Sequence, residues 1–455
     1  MKNKNYNSYC IDLTFNGKLF HNTQKDFHSH LVLKENEIEL QILFDPNVIR
    51  FGHTFSYWYR ITEHSYKIGK HITIDSNYEN KNLLKIDFED SEILTYSVGG
   101  DRFIGNKEYI SVMLSSVKIY KKSNKEQINS SSFYLNRAGF HFVKSYYPPL
   151  FFDNDSFQIN RYVGKEQFYR HQKIEYRPEF NWVTTKNNID DNEVIIIKEP
   201  LIKINHLESL TETEVLDFAN DICKISSFYL NLNIDYIYAK IHLDNFRLEI
   251  IRVKKNELEQ RPYSLISFNL NGRVSDFFNS DLLSYYSNNR TKLNKAIENF
   301  IQSRLLDGNS KFLLRYNVIE ICMKGISQNN EKYNCILTQE QKEKKYQEAL
   351  DIIKETVDKS DWESFETKWN TVKLKMEYKP MKSPLESFLL EQNLPITEFS
   401  MKINKLKSIR DKITHGSVNS IKQKDLETAN ILTYKINVVL ILNLLGINEW
   451  KVDFK

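Results

Sequence analysis

The apolar period of this chain changes once along its length, and that change limits the folds open to it. Through residues 1–200 the apolar side chains come in short, often alternating, β-branched runs: 9–15, 30–34, 37–44, 71–75, 83–88, 93–98 and 109–120. Successive side chains of a strand point to opposite faces, so this pattern predicts half-buried strands. Polar stretches at 122–131 and 186–192 punctuate them. No helical crossover alternates with the runs, so an antiparallel sheet or sandwich is expected rather than a parallel sheet. Beyond residue 290 the apolar spacing becomes three to four, the period of a helix.

Between these regimes, Thr211 followed by Glu214 reads as a capping box, opening a helix with Val215, Leu216, Phe218, Ile222, Ile225 and Phe228 on its apolar side. Strands return at 236–243, 246–254 and 263–270, and residues 272–290, rich in Asn, Ser and Asp, read as a joint. Helices are then expected over 291–304, 312–325, 341–354, 384–391, 399–415 and 424–445, with Pro380, Pro384 and Pro395 in the breaks where proline belongs. The expected architecture is α+β and multidomain. A β-rich N-terminal module over 1–275, with its helix near 211–230, precedes an all-α bundle of five or six helices over 285–455.

At 455 residues the chain is too long for one ordinary core. Its 41% hydrophobic and 27% charged residues are those of a globular protein rather than a disordered one. A net charge of +4 does not define a nucleic-acid binder, so any RNA surface must be a local patch. Cys10, Cys223, Cys322 and Cys335 are scattered, without the spacing of a zinc knuckle or a disulfide framework. Met1 is followed by polar residues rather than an apolar leader, and the run 436–445 is too short to span a bilayer. The expected location is a reducing cytoplasm, away from membranes.

Chemistry concentrates near the C-terminus. Phe399, Ile403, Leu406, Ile409 and Ile413 mark the apolar face of a helix, and Gly416 is placed to cap it, so the helix should end at His415. Arg410 and His415 lie five apart, roughly 140° around an ideal helix, and face one group only if the helix stops there. Asp411 is four residues before His415, within reach of the imidazole to fix its tautomer. A guanidinium beside an oriented imidazole suits RNA cleavage: histidine relays protons and arginine stabilises charge on the phosphate.

This arrangement resembles the Arg-x(4–6)-His signature of HEPN ribonucleases, in which a polar residue usually follows the arginine; Asp411 fills that place. The order of a helix, this motif, glycine, a polar turn and a long apolar helix ending in Leu444, Leu445 and Gly446 is similar to the HEPN domain of ApeA-like bacterial defence proteins. The resemblance spans about 285–455, and more loosely the β-rich region before it. It implies a metal-independent endoribonuclease without cofactor, acting in antiphage defence or abortive infection on RNA such as a tRNA. It further implies pairing of two copies through the HEPN domain, a phage-derived trigger, and Arg410, Asp411 and His415 as catalytic residues. The alternative is a catalytically silent HEPN scaffold that binds RNA or serves as a toxin–antitoxin partner.

Other features weigh less. Glu320, among apolar neighbours on a bundle helix, is either an exposed helix-face acid or the group that orients Arg410. Lys402, Lys405, Lys407 and Lys412 surround the motif, where they either hold RNA phosphates or form a solvated face. His28 and His30 share a strand face but lack the further ligands a metal needs. Gly99 and Gly100 read as a hairpin turn, and Arg137 to His141 as a surface turn. Phe55, Tyr57, Trp58 and Tyr59 read as strand core rather than a base-stacking platform.

Overall fold

A computed structural model describes residues 7–15, 26–34, 37–44, 66–68, 83–88, 91–101, 107–123, 130–144, 169–186, 194–253, 280–323, 339–376, 382–448, 450 and 452–454. The chain is mixed α/β, with antiparallel sheets in the N-terminal part and a helical C-terminal region. It divides into two units. The first holds Met1–Ser226, Leu232–Ser264 and Phe268–Asp276, and the second Ser227–Asn231, Leu265–Ser267 and Phe277–Lys455.

In the first unit, β1 (Asn7–Phe15), β2 (Asp26–Lys34), β3 (Glu37–Phe44), β4 (Tyr66–Ile68), β6 (Ile93–Asp101) and β7 (Lys107–Leu114) form one sheet, in the order β4-β1-β2-β3-β7-β6. Register explains its buried face. Leu31 pairs with Leu40 and Leu40 with Val112, while Leu33 pairs with Ile38 and Ile38 with Leu114; all six are buried. The intervening residues face the other way, where Glu39 accepts hydrogen bonds from Ser111 at 2.7 Å and Lys34 at 3.1 Å.

The second sheet holds β5 (Leu83–Asp87), β8 (Ser116–Lys122), β9 (Ser130–Leu135), β10 (Tyr169–His171), β11 (Ile174–Lys186), β12 (Val194–His206), β13 (Tyr236–His242) and β14 (Phe246–Arg252). Its order is β10-β11-β12-β9-β13-β14-β8-β5. Helix α2 (Glu212–Leu230) contributes Phe218 against Tyr176 of this sheet, ring centroids 5.2 Å apart. The expected capping box is present: the Thr211 backbone N–H donates to Glu214 Oε2 at 2.8 Å, and the Glu214 N–H donates to Thr211 Oγ1 at 3.2 Å.

Several expectations are corrected here. The run 109–120 is two strands, β7 and β8, in different sheets. The break falls at Ser115, whose hydroxyl accepts from the Glu92 N–H at 2.7 Å and whose N–H donates to the Glu92 carbonyl at 2.8 Å. Gly99 and Gly100 lie within β6, paired with Tyr109 and Glu108, rather than in a turn. Arg137 and Ala138 form the expected turn, with Arg137 exposed, but Gly139 to His141 belong to a short helix, α1 (Gly139–Lys144), with Phe142 and Val143 buried. There Asn136 Oδ1 accepts the Gly139 N–H at 3.2 Å and Asn136 Nδ2 donates to the Asn233 carbonyl at 2.7 Å. The runs 71–75 and 263–270, the Phe55 to Tyr59 cluster and the His28 side chain lie outside the described residues.

The second unit contains α3 (Ser280–Asn288), α4 (Arg290–Ser303), α5 (Gly308–Met323), α6 (Gln339–Lys354), α7 (Trp362–Met376), α8 (Lys382–Glu391), α9 (Ile403–Thr414) and α10 (Gln423–Leu444). Eight described helices exceed the five or six expected. The polar run read as a joint holds α3, and α7 escaped notice because its aromatic residues are interleaved with charges. Helix α9 begins at Ile403 rather than Phe399, whose ring instead packs on Phe454 at 5.1 Å.

Helix α10 is buried on most sides and packs on α4 and α5. Its core nevertheless carries Asn430, Thr433 and Asn437, all buried. Asn430 Nδ2 donates to the Gly308 carbonyl at 3.2 Å and Asn437 Nδ2 to the Arg315 carbonyl at 2.9 Å, while Arg315 Nη1 returns a bond to the Asn430 carbonyl at 2.7 Å. A polar seam of this kind fixes the register of two helices that apolar contacts alone would let slide. Burial pulls the Arg315 guanidinium down to about 10.

Candidate functional site

The site is built at the C-terminal end of α9. Ile403, Leu406 and Ile409 are buried against α5 and α8, each burial being worth roughly 1.5–3 kcal/mol. That anchorage turns the next face of the helix, carrying Arg410, toward α5. The helix stops where the sequence says it should. His415 is its C-cap, and Gly416 follows with φ of 78°. The Ser417 N–H donates to the Lys412 carbonyl at 2.8 Å and the Gly416 N–H to the Ile413 carbonyl at 3.2 Å, which is the Schellman arrangement.

Arg410 is half-buried and doubly held. Its Nη2 donates to Glu320 Oε1 on α5 at 3.1 Å, and its Nη1 to Asp411 Oδ1 at 3.3 Å. Its guanidinium carbon lies 6.0 Å from the centre of the Tyr316 ring, at the outer limit of a cation–π contact. Glu320 is therefore not an exposed helix-face acid: it is the carboxylate that fixes the guanidinium. Asp411 turns to Arg410, and the expected side-chain approach to His415 is absent. The His415 imidazole is exposed, with no hydrogen-bond partner among the described residues; only its backbone N–H is engaged, donating to the Asp411 carbonyl at 2.9 Å.

The lysines divide. Lys405 pairs with Asp425 at the start of α10, Nζ to Oδ1 2.6 Å, and this contact holds the Asp425 carboxyl below its usual range. Lys407 and Lys412 are half-buried and form no ion pair among the described residues. Two carboxylates on one guanidinium leave the Arg410 cluster with an excess of negative charge. An incoming phosphate either meets the Arg410 N–H groups that these two bonds leave open, against the charge of both carboxylates, or displaces one of them.

Sequence reasoning missed Tyr316. It sits one turn before Glu320 on α5, is 2% exposed, and its hydroxyl has no hydrogen-bond partner among the described residues. Burial, then the Glu320 carboxylate, push its phenol up to about 12, against the opposing pull of Arg410. The available signal was its four-residue spacing to Glu320, which puts both side chains on one helix face. No cluster of three or more His, Cys, Asp or Glu side chains suited to a metal ion occurs among the described residues. None of their helices is long and apolar enough to cross a membrane.

Comparison with known proteins returns nothing: no family model, curated protein or solved structure matches this chain.

Proposed function

We propose that this chain is a HEPN-type endoribonuclease that cleaves RNA by attack of the 2′-hydroxyl on the adjacent phosphate. The observation that supports this reading is the Schellman stop at His415. It presents an exposed, uncommitted imidazole one turn beyond a guanidinium that Glu320 and Asp411 hold in place. In the reaction His415 takes the proton of the 2′-hydroxyl as its oxygen bonds to phosphorus. The bond to the 5′-oxygen then breaks, and the imidazolium of His415 gives its proton to that oxygen as it leaves. Arg410 steadies the charge on the phosphate. The products carry 2′,3′-cyclic phosphate and 5′-hydroxyl ends, and the chemistry calls for no metal. The sequence resemblance supports a role in antiphage defence or abortive infection, with the β-rich unit as sensor or regulator and an abundant structured RNA such as a tRNA as target. Two copies pairing through the helical unit would bring two motifs to one cleft.

A second reading, a silent HEPN scaffold that binds RNA or a toxin–antitoxin partner, is favoured by one observation: both Arg410 amino groups already meet carboxylates. The readings separate when purified full-length protein is incubated with total bacterial RNA in EDTA, with and without phage lysate, and the new ends are identified. Cyclic phosphate ends support the nuclease. RNA retained on the protein but uncut in both conditions supports the scaffold.

A further inference from the structure

The sheet that meets α2 on one face carries an unbalanced row of cations on the other. Strand residues alternate between faces, and Phe218 of α2 meets Tyr176, so the neighbouring Arg177 points away from that helix. Arg177 pairs across strands with Lys203, Lys203 with Ser132, and Ser132 with Lys240, so all four share this face. Like charges directly opposite each other weaken a sheet. The carboxylates of the face have other cations: Glu249, opposite Lys240, accepts from Lys121 at 2.9 Å and from Arg247, while Glu179 accepts from Arg177. Lys203 and Lys240 form no ion pair among the described residues, and Lys240 lies over the Tyr238 ring, 5.5 Å from its centre. One row along the strands, Tyr134 pairs with Tyr238, ring centroids 5.5 Å apart. Glu199 lies on the same face, two residues along β12 from Leu201, which pairs with both Tyr134 and Glu179. Ser132, Tyr134, Lys203, Tyr238 and Lys240 each keep part of their surface open to solvent.

We propose that this face binds a nucleotide with a single phosphate, which sits between Lys203 and Lys240 and accepts from the Ser132 hydroxyl while the base lies along Tyr134 and Tyr238. Lys203 and Lys240 stand on the two strands that flank β9, so at about 4.8 Å per strand their Cα atoms are roughly 10 Å apart. Their two charges match the charge of about −2 on a phosphate monoester at neutral pH. Two residues along a strand span about 6.8 Å, which leaves room for the ribose between the cations and the tyrosines. Tyrosine rings accept any base. Glu179 and Glu199, beside the rings, would accept from amino or hydroxyl groups of the ligand and repel any further phosphate. That repulsion favours a mononucleotide over a nucleic-acid strand. The site belongs to the β-rich unit and stands apart from the chemistry of Arg410 and His415.

The test is titration of the full-length protein with each of the common ribonucleoside 5′-monophosphates, read by calorimetry and by the unfolding midpoint. At least one monophosphate should bind saturably and raise the midpoint. The corresponding nucleoside, which lacks the phosphate, should bind at least about tenfold more weakly. Lys203→Gln and Lys240→Gln should each weaken the monophosphate by a similar factor of about ten, since each removes a charge-assisted contact. Without ligand both variants should unfold at or above the wild-type midpoint, because each takes a cation from a crowded row; this separates loss of the ligand from loss of the fold. Failure of every monophosphate to bind at millimolar concentration overturns the proposal. So does an affinity that neither lysine substitution changes, or a nucleoside that binds as well as its monophosphate. A single-stranded oligonucleotide held through both lysines, with no monophosphate bound, would make the face a strand platform and overturn it equally. None of these outcomes depends on whether the protein cuts RNA.

Discussion

Arg410 on α9 and Glu320 on α5, ninety residues apart in sequence, share a charge-assisted hydrogen bond of 3.1 Å. Both side chains are partly open to solvent, 29% and 23% exposed. The pair therefore contributes modestly to stability and chiefly sets where the guanidinium lies.

It follows that Glu320→Gln should change folding stability by under about 1 kcal/mol, because a neutral amide keeps one acceptor and the pair is solvent-screened. Its effect on RNA cleavage should be larger, roughly tenfold to a hundredfold, since a guanidinium displaced by an ångström loses most of its alignment. Thermal unfolding and initial cleavage rates on the same preparation check this. Parallel losses of stability and activity would show that Glu320 is only a structural partner.

His415 and Arg410 should fail differently. The exposed imidazole makes no hydrogen bond or ion pair among the described residues, so His415→Ala should leave the unfolding midpoint nearly unchanged while removing about 10²–10⁴ in rate. Arg410→Lys keeps the charge but cannot span Glu320 and Asp411 with two separate amino groups. It should stay inactive, and cleavage rescued to wild-type level would show that charge alone suffices.

Two glycines give a control on the helix ends. Gly416 and Gly446 both have positive φ, 78° and 76°. An added Cβ at Gly416 meets nothing within 4 Å, whereas at Gly446 it would fall on the Tyr285 ring. Gly416→Ala should cost about 1–2 kcal/mol from backbone strain alone. Gly446→Ala should cost more, strain plus overpacking. Denaturant titrations of the two variants decide the order, and a larger loss at Gly416 would contradict this account of the site's rigidity.

The β-rich unit should be acid-sensitive. Burial pulls His206 from 6.5 to about 4, and its Nε2 lies 2.9 Å from Ser131 Oγ. His242 and His141 are lowered too, each chiefly by burial. A buried imidazole of this kind binds its proton more readily once unfolded. The stability it confers is complete above pH 6.5 and is lost as pH falls from 6.5 toward 4. Unfolding midpoints across that range should drop in wild type and drop less in His206→Gln.

What the sequence made legible was local. The capping box at Thr211 and Glu214 and the glycine stop after His415 involve residues within a few positions of one another, so spacing alone reveals them. The β7–β8 boundary was hidden because Ser115, bonded to Glu92, and Ser116, whose N–H donates to Ser91 Oγ, turn the chain between sheets with no proline or glycine to mark it. Gly99 and Gly100 misled for the opposite reason: strand pairing with β7 overrides their preference for turns. At the site, Glu320 was visible only as one of two readings, because its choice depends on a helix ninety residues away. Tyr316 was invisible, since a tyrosine at an apolar helix position reads as core until its hydroxyl is seen to lack an acceptor.

The measurement that bears most directly on the central claim is cleavage of total bacterial RNA in EDTA by wild type, Arg410→Ala and His415→Ala, compared at equal concentration after each is shown to fold. The account predicts cutting by wild type alone, leaving 2′,3′-cyclic phosphate ends. Equal cutting by all three proteins would contradict it, since the activity would then arise from some group other than the helix end that Arg410 and His415 share.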